Sequence, residues 1–542
     1  MKRMFVALTV SIMVTLVVVA GFAGGEEEAS RDAVFNATGY PVVDEQIQLT
    51  FAFSHTGTKD DMDTLEFLWP IEEKTNIDIV WEVLLRDGAA EKVNLMLASG
   101  DLPDGFYGGV TLTNEKITLN KERFRPLEEL IEAYAPNIRK MMETEPDTRA
   151  VMTAPDGHIY GLASFIATRP NTFNTIWINQ RWLDALGLEV PTTLDELYVV
   201  LKAFKEGDPN GNGKADEIPI TGAGSWLLGG MTGVGTYIFP AFDILFSPQT
   251  PRGWHFYHTV IDGEVMFQPT LENYRDAVKY IRKLWADGLI DIEYFSNSWP
   301  EFSGRVRNPE TMLVGLASAW TVMDGVGVQY LDDYLRLPPF IGPDGTQAHQ
   351  SQTVDIRIYR NRFAMTTVNK HPQATIRFVD EAYESSVALQ YAFGALDSGT
   401  RMYDDGSMEI LPAPEGYTDG EWKHKRALDE AMTAGWLSNE FVLDKLRMGD
   451  NEAYRKIADN EFYMPYFKPD RTYPPIFFDD ETAEELSFLE ADIGNYVESQ
   501  YAKWVVDGGI DEQWDDYIAT LNRMGLERYM EILQREYDKF TS

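Results

Sequence analysis

The 542-residue chain contains no cysteine. That excludes disulfides, thiolate metal sites and cysteine nucleophiles, and it also excludes a lipidated N-terminal cysteine. Histidine is scarce, at 7 residues. His255 and His258 are too sparse for a metal site, and neither H-E-x-x-H nor a serine within G-x-S-x-G occurs. Positive charge is short as well: 47 Lys and Arg stand against 86 Asp and Glu, a net charge of −39. Nucleic-acid affinity rests on Lys and Arg neutralising phosphates, so this balance argues strongly against it. It equally disfavours adhesion to anionic lipid through a basic face. Beyond the first two dozen residues no apolar run reaches membrane-spanning length, and there is neither a repeat nor a low-complexity tract.

What is present fits an ordered globular protein of two or three domains, with 44% hydrophobic and 13% aromatic residues. The first 23 residues read as an export signal. Lys2 and Arg3 precede an apolar run from Phe5 to Ala20, and Gly21-Phe22-Ala23 forms a small-x-small cleavage site. The expected product is soluble, in the periplasm or outside the cell and not lipidated; a retained anchor is the alternative. Residues 24–45, polar and broken by Pro41, read as a tether.

One stretch is unusually specific: Asp208-Pro209-Asn210-Gly211-Asn212-Gly213-Lys214-Ala215-Asp216-Glu217. Oxygen-bearing side chains recur at every second position, Gly213 allows the positive φ of a tight loop, and two carboxylates follow. Asp208, Asn210, Asn212, the Lys214 carbonyl, Asp216 and Glu217 make a ligand set that suits Ca²⁺. The twelfth place, where an EF-hand carries a bidentate Glu, is Pro219. A helix precedes the loop and a strand-like Ile218-Pro219-Ile220 follows, so this is a calcium-type loop outside the EF-hand frame. An ion here would tie a helix end to a strand start, which is a structural role.

The pattern around it alternates strands and helices. Ile47–Phe53 alternates as a first strand, Ile77–Trp81 as a second, and Ala89–Ser99 forms a helix stopped by Gly100. Thr175–Ile178 reads as a strand, and Thr193 with Glu196 as a capping box opening a helix. Leu271–Trp285, Glu301–Ala317, His371–Tyr383 and the C-terminal stretches around Trp514 and Tyr529 read as helices. This order predicts an α/β fold with crossover helices.

Several of these stretches together resemble a known family. Lys92–Asp104, Asp156–Gly161, Trp182–Leu188, Pro191–Leu197, the ion loop and Leu284–Asp291 look like the large extracellular solute-binding proteins of ABC importers for oligosaccharides, which include the alginate-binding proteins. The resemblance implies a two-lobed type II periplasmic binding protein with a ligand cleft between lobes. It also implies a calcium site on the loop, an oligosaccharide ligand, an ABC transporter permease as partner, and no enzymatic activity; a monomer is expected. Lobe 1 is expected at 46–165 with part of 310–370, and lobe 2 at 170–305 with 371–542.

A sugar-binding cleft needs flat aromatic platforms and polar side chains at its rim. The candidates are His55, Asp104, Tyr107, Trp226, Trp254, Trp299, Trp320, Arg357, Tyr359, Arg360 and Trp436. Trp177, Trp182, Trp285 and Trp514 lie on periodic apolar faces and read as core. Two other readings stay open: an exported glycoside hydrolase or lyase, and a binding protein for a peptide or another small polar solute.

Overall fold

A computed structural model describes residues 34–55, 61–108, 112–168, 172, 174–223, 232–245, 247–250, 253–255, 258–349, 357–428, 433–447, 449, 452–474 and 476–542. The export signal, the first part of the tether and Trp226 lie outside the described residues.

The strands in chain order are β1 (Ile47–His55), β2 (Ile77–Leu85), β3 (Gly105–Tyr107), β4 (Gly161–Ile166), β5 (Thr175–Asn179), β6 (Ile218–Ile220), β7 (Ser247–Thr250), β8 (Gly253–His255), β9 (His258–Ile261), β10 (Glu264–Phe267), β11 (Val314–Ala319), β12 (Tyr334–Arg336), β13 (Ile358–Met365), β14 (Thr400–Met402), β15 (Met408–Ile410), β16 (Trp436–Leu437) and β17 (Leu446–Arg447). Two sheets organise the molecule. The first has the order β16-β4-β13-β3-β1-β2 and the second β12-β5-β11-β6. In the first, β1 runs parallel to β2 and β3, β16 runs parallel to β4, and β13 alone is reversed.

Each sheet has its own core. In β1 the strand alternation sends Leu49, Phe51 and Phe53 to one buried cluster and Ala52 to another on the opposite face. In the second lobe the capping box at Thr193 and Glu196 is formed and opens the helix Leu194–Glu206. Leu197, Leu201 and Phe204 then enter a core shared with Trp182, Tyr274 and Trp504.

Three expectations are corrected. Glu301–Ala317 is not one helix: the helix Trp299–Val306 ends before Pro309, and Val314–Ala319 is the fully buried strand β11. The lobes are divided differently as well. β11 and β12 hydrogen-bond to β5 in the second sheet, whereas β13 joins the first. Residues 372–428 and 433–447 pack on the first core through Ile376, Phe378, Tyr391, Leu428 and Trp436, and the chain joins the second core again with Tyr473, Leu486 and Trp504. Finally, residues 34–45 are folded rather than a free tether. Val42 and Val43 are fully buried, Phe35 packs edge-on against Tyr134 with ring centroids 5.2 Å apart, and Arg377 donates to the carbonyls of Asn36 and Gly39.

Burying two valines is worth roughly 1.5–3 kcal/mol each. Deleting residues 34–45 is therefore expected to lower the unfolding free energy by roughly 3–6 kcal/mol in urea denaturation, whereas a free tether would leave it unchanged.

Candidate functional site

The C-terminal ends of β1, β3, β4 and β16 and the N-terminal end of β13 meet along one edge of the first sheet. In open α/β sheets ligands bind outside such an edge. His55 closes β1 there, its ring 6.1 Å from that of Phe53. Arg357, Tyr359 and Arg360 open β13 beside it. The β13 ladder to β4 slips between Tyr359 and Phe363, and Asn361 in the bulge takes φ +53°. The bulge is pinned on both sides. Asn361 Nδ2 donates to Asn114 Oδ1 at 2.9 Å, and the Gly108 N–H donates to the Arg362 carbonyl at 2.6 Å. A Cβ at Gly161 would fall 2.4 Å from Asn361 Oδ1, so only glycine fits beneath the bulge. The Arg362 guanidinium lies 4.9 Å from the Tyr359 ring centre, and that of Arg357 lies 4.9 Å from Phe165. Burial pulls Arg360 down to about 10. The bulge thus concentrates guanidinium donors and one phenol ring at the sheet edge.

The second lobe answers with its own strand ends. Trp320 follows β11; buried Lys456 donates to its carbonyl and sits 3.8 Å from the ring centre. Trp299 opens its helix and is 41% exposed, enough to offer a ring face. Asn297, two residues earlier, donates to the Gly222 carbonyl, which places Trp299 near the end of β6. Trp254 lies on β8.

The chain passes between lobes three times: from β4 to β5, from β12 to β13, and from β17 into the helix Glu452–Tyr463. His349 binds the three together. Its Nε2 lies 3.0 Å from the Asn174 carbonyl and 3.1 Å from Thr172 Oγ1, and its ring stacks on Tyr463 at 3.9 Å. Asn460 accepts from the Thr172 N–H, and Tyr463 Oη joins the Ile176 N–H to the Leu337 carbonyl. Complete burial pushes His349 down to about 3, so the ring is neutral.

Three candidates belong to the fold instead of an open cleft. Asp104 precedes β3, at the opposite edge, and accepts from the Thr50 N–H at 2.8 Å. Tyr107 is 1% exposed and stacks on Phe51 with centroids 5.9 Å apart. Trp436 is buried in the first core. Sequence reasoning missed Asn361, Arg362 and Lys456. The one available signal was an asparagine, tolerant of positive φ, between two arginines in a strand.

The ion loop turns its side chains inward. The Asp208 carboxylate accepts from the N–H groups of Asn212 and Gly213. The Asn210 and Asn212 amides donate to Asp216 at 3.0 Å. Asn212 Oδ1 accepts from the Lys214 N–H at 2.8 Å. Glu217 Oε1 is buried without a hydrogen-bond partner. Burial, then the charges of Asp216 and Asp208, push the Glu217 carboxyl above its ordinary range. The orphaned buried oxygen of Glu217, with the charges of Asp216 and Asp208 acting on it, fits a divalent cation. Half-turns of the two amides would present oxygens to it. Among the described residues no group of three or more His, Cys, Asp or Glu is arranged as a metal site; the fit rests on the amides as well as the carboxylates.

Comparison with known proteins fits this geometry. The bacterial extracellular solute-binding protein family matches residues 58–387. The chain is 31% identical, over 99% of its length and 98% of the relative's, to the fructooligosaccharide ABC transporter substrate-binding protein FusA of Streptococcus pneumoniae serotype 4 (strain ATCC BAA-334 / TIGR4). This protein belongs to the bacterial extracellular solute-binding family and has its two-lobed α/β fold. FusA in complex with kestose superposes with a TM-score of 0.81 at 30% identity, covering 91% of this chain and 99% of that one. A FusA EF-hand mutant in complex with fructo-nystose gives 0.82 over the same shares, also at 30% identity. The alginate-binding protein AlgQ2 without calcium ion shares the fold, with a TM-score of 0.71 at 21% identity over 92% of this chain and all of the other.

Two outcomes are expected. Asp104→Ala leaves the Thr50 N–H without its acceptor and costs about 1–3 kcal/mol in denaturant titration while ligand affinity is unchanged. His349 has its folded pKa below the ordinary 6.5, so the unfolded chain binds more protons on acidification. Stability held above that value is therefore lost as pH falls from about 6.5 towards 3, by roughly 1.4 kcal/mol per pH unit from this residue. His349→Gln removes that share of the slope in melts between pH 4 and 7.

Proposed function

We propose that this protein captures an oligosaccharide of the fructooligosaccharide class between its lobes and delivers it to an ABC transporter permease. The observation that carries the reading is the 31% identity to FusA along virtually the whole of both chains. The cleft edge adds to it. His55, Arg357, Tyr359 and Arg360 on one lobe and Trp299 and Trp320 on the other supply rings for sugar C–H faces and donors for hydroxyls. Trp226 and Trp254 are further platforms in this reading. The protein acts as a monomer that binds without bond-breaking, exported and held by no lipid.

The loop ion is Ca²⁺, held by Asp208, Asn210, Asn212, the Lys214 carbonyl, Asp216 and Glu217. When bound it would supply the positive charge that offsets the carboxylates of Asp208, Asp216 and Glu217. The chain's own residues do the rest: they join the end of the helix Leu194–Glu206 to β6, away from the cleft edge. The EF-hand of FusA supports this reading.

Calorimetry with kestose, nystose and an oligogalacturonide, with chromatography of the sugars afterwards, tests the ligand. Binding of the fructans with no product is expected; product release would establish the hydrolase or lyase instead. Replacing both Tyr359 and Arg360 by Ala is expected to weaken binding tenfold or more with the fold retained. Calcium at a hundredfold excess over its Kd should stabilise the protein by about 2.7 kcal/mol. Asp208→Ala should abolish that gain, with sugar affinity changed little. If chelation removes sugar binding while the melting temperature stays put, the ion belongs to the cleft.

A further inference from the structure

Besides the three crossings, two contacts between the lobes among the described residues differ in character. The first is an apolar seam. Phe477 packs against the first-lobe cluster that holds Val93, Phe106 and Ile117, while its neighbours Ile476 and Phe478 pack on the second-lobe core. The helix Asp480–Asp507 starts there, and Lys121 at the end of the helix Asn114–Leu119 meets Asp480 at 2.8 Å. Opening the lobes at this seam would strip an aromatic ring from its pocket, so it behaves as a pivot.

The second place is ionic. Arg307, at the end of the second-lobe helix Trp299–Val306, donates through Nη1 to Glu421 Oε1 at 2.7 Å. Glu421 is the third residue of the first-lobe helix Asp419–Arg426. Its other oxygen accepts from the Thr418 N–H at 2.9 Å in a formed capping box. One carboxylate oxygen therefore fixes the side chain on its own helix, and the other is aimed across the gap. Asp419, from the same helix turn, stands 3.5 Å from Arg455 of the crossing helix. The apolar clusters stay separate here among the described residues: Val306 and Val326 belong to one, and Phe393 and Ile410 to another. The Arg307–Glu421 contact is made by two long side chains, so it parts when the lobes separate.

We propose that Arg307 and Glu421 form a latch that exists only with the lobes together and biases the sugar-free protein towards that arrangement. The helix carrying Arg307 begins with Trp299, so a ligand ring stacked there would act on the same rigid eight-residue unit that sets the latch. The proposal assumes lobes that move about a ligand but does not depend on which sugar binds.

The absence of cysteine makes the test direct. Leu95→Cys and Val199→Cys, both on exposed helix faces of opposite lobes, accept spin labels at two defined sites in the full chain. Inter-lobe distances are then measured with no sugar added. Glu421→Gln keeps an acceptor for the capping box and loses the charge; Arg307→Gln removes the other partner. Each is expected to shift the closed-to-open ratio towards open by about 1.5- to 5-fold, the range of exposed ion pairs. The double variant should do no more than either single one, and added salt should shift the parent but not the double variant. Distance distributions unchanged in both singles, or shifts that add in the double, would overturn the latch. Either result leaves the sugar reading untouched, because no sugar is present.

Discussion

The architecture depends on three separate chain passages being tied to one another. A neutral imidazole achieves this because it is buried, stacked on Tyr463 and hydrogen-bonded to the strand passage at Asn174 and Thr172. A charged ring at that place would have to be desolvated without an anion, which a low-dielectric interior penalises heavily. These contacts fix the register of the three passages against one another. The strand edges that bracket it carry the arginines of the β13 bulge on one lobe and the tryptophans of the other. The candidate recognition residues and the tied passages are thereby drawn from widely separated stretches of sequence.

The ion loop stands apart from this joint. It lies between the end of the helix Leu194–Glu206 and the start of β6, outside the passages between lobes. Electrostatics gives the loop its cost and its purpose. The charges of Asp208 and Asp216 act on Glu217 in a chain that already carries a net charge of −39, which is the repulsion the proposed cation would offset.

Local chemistry was legible in the sequence to different degrees. Caps and stops came through because they act within one turn: Thr193 with Glu196, Gly100 and Gly187 all behave as their positions dictate. The lobe boundaries did not, since whether β11 joins one sheet or the other is decided by hydrogen bonds to strands more than a hundred residues away. The misread helix at Glu301–Ala317 reflects a short run of small and apolar residues whose period cannot separate a buried strand from a buried helix. Aromatic counting was a blunt guide to the cleft. Tyr107 and Trp436 are as aromatic as Trp299, but only the fold reveals which rings are spent on the interior.

The reversed strand β13 has one more consequence. It lies in the middle of the first sheet, between β4 and β3, but arrives only at residues 358–365. A chain halted before that point would leave Gly105–Tyr107 bare on one edge and Gly161–Ile166 bare on both, since β16 arrives later still, open to pairing with any other extended chain. Synthesis thus imposes an order: the nested lobe has its sheet strands in hand first, and the outer one stays a split sheet until its late strand is threaded home.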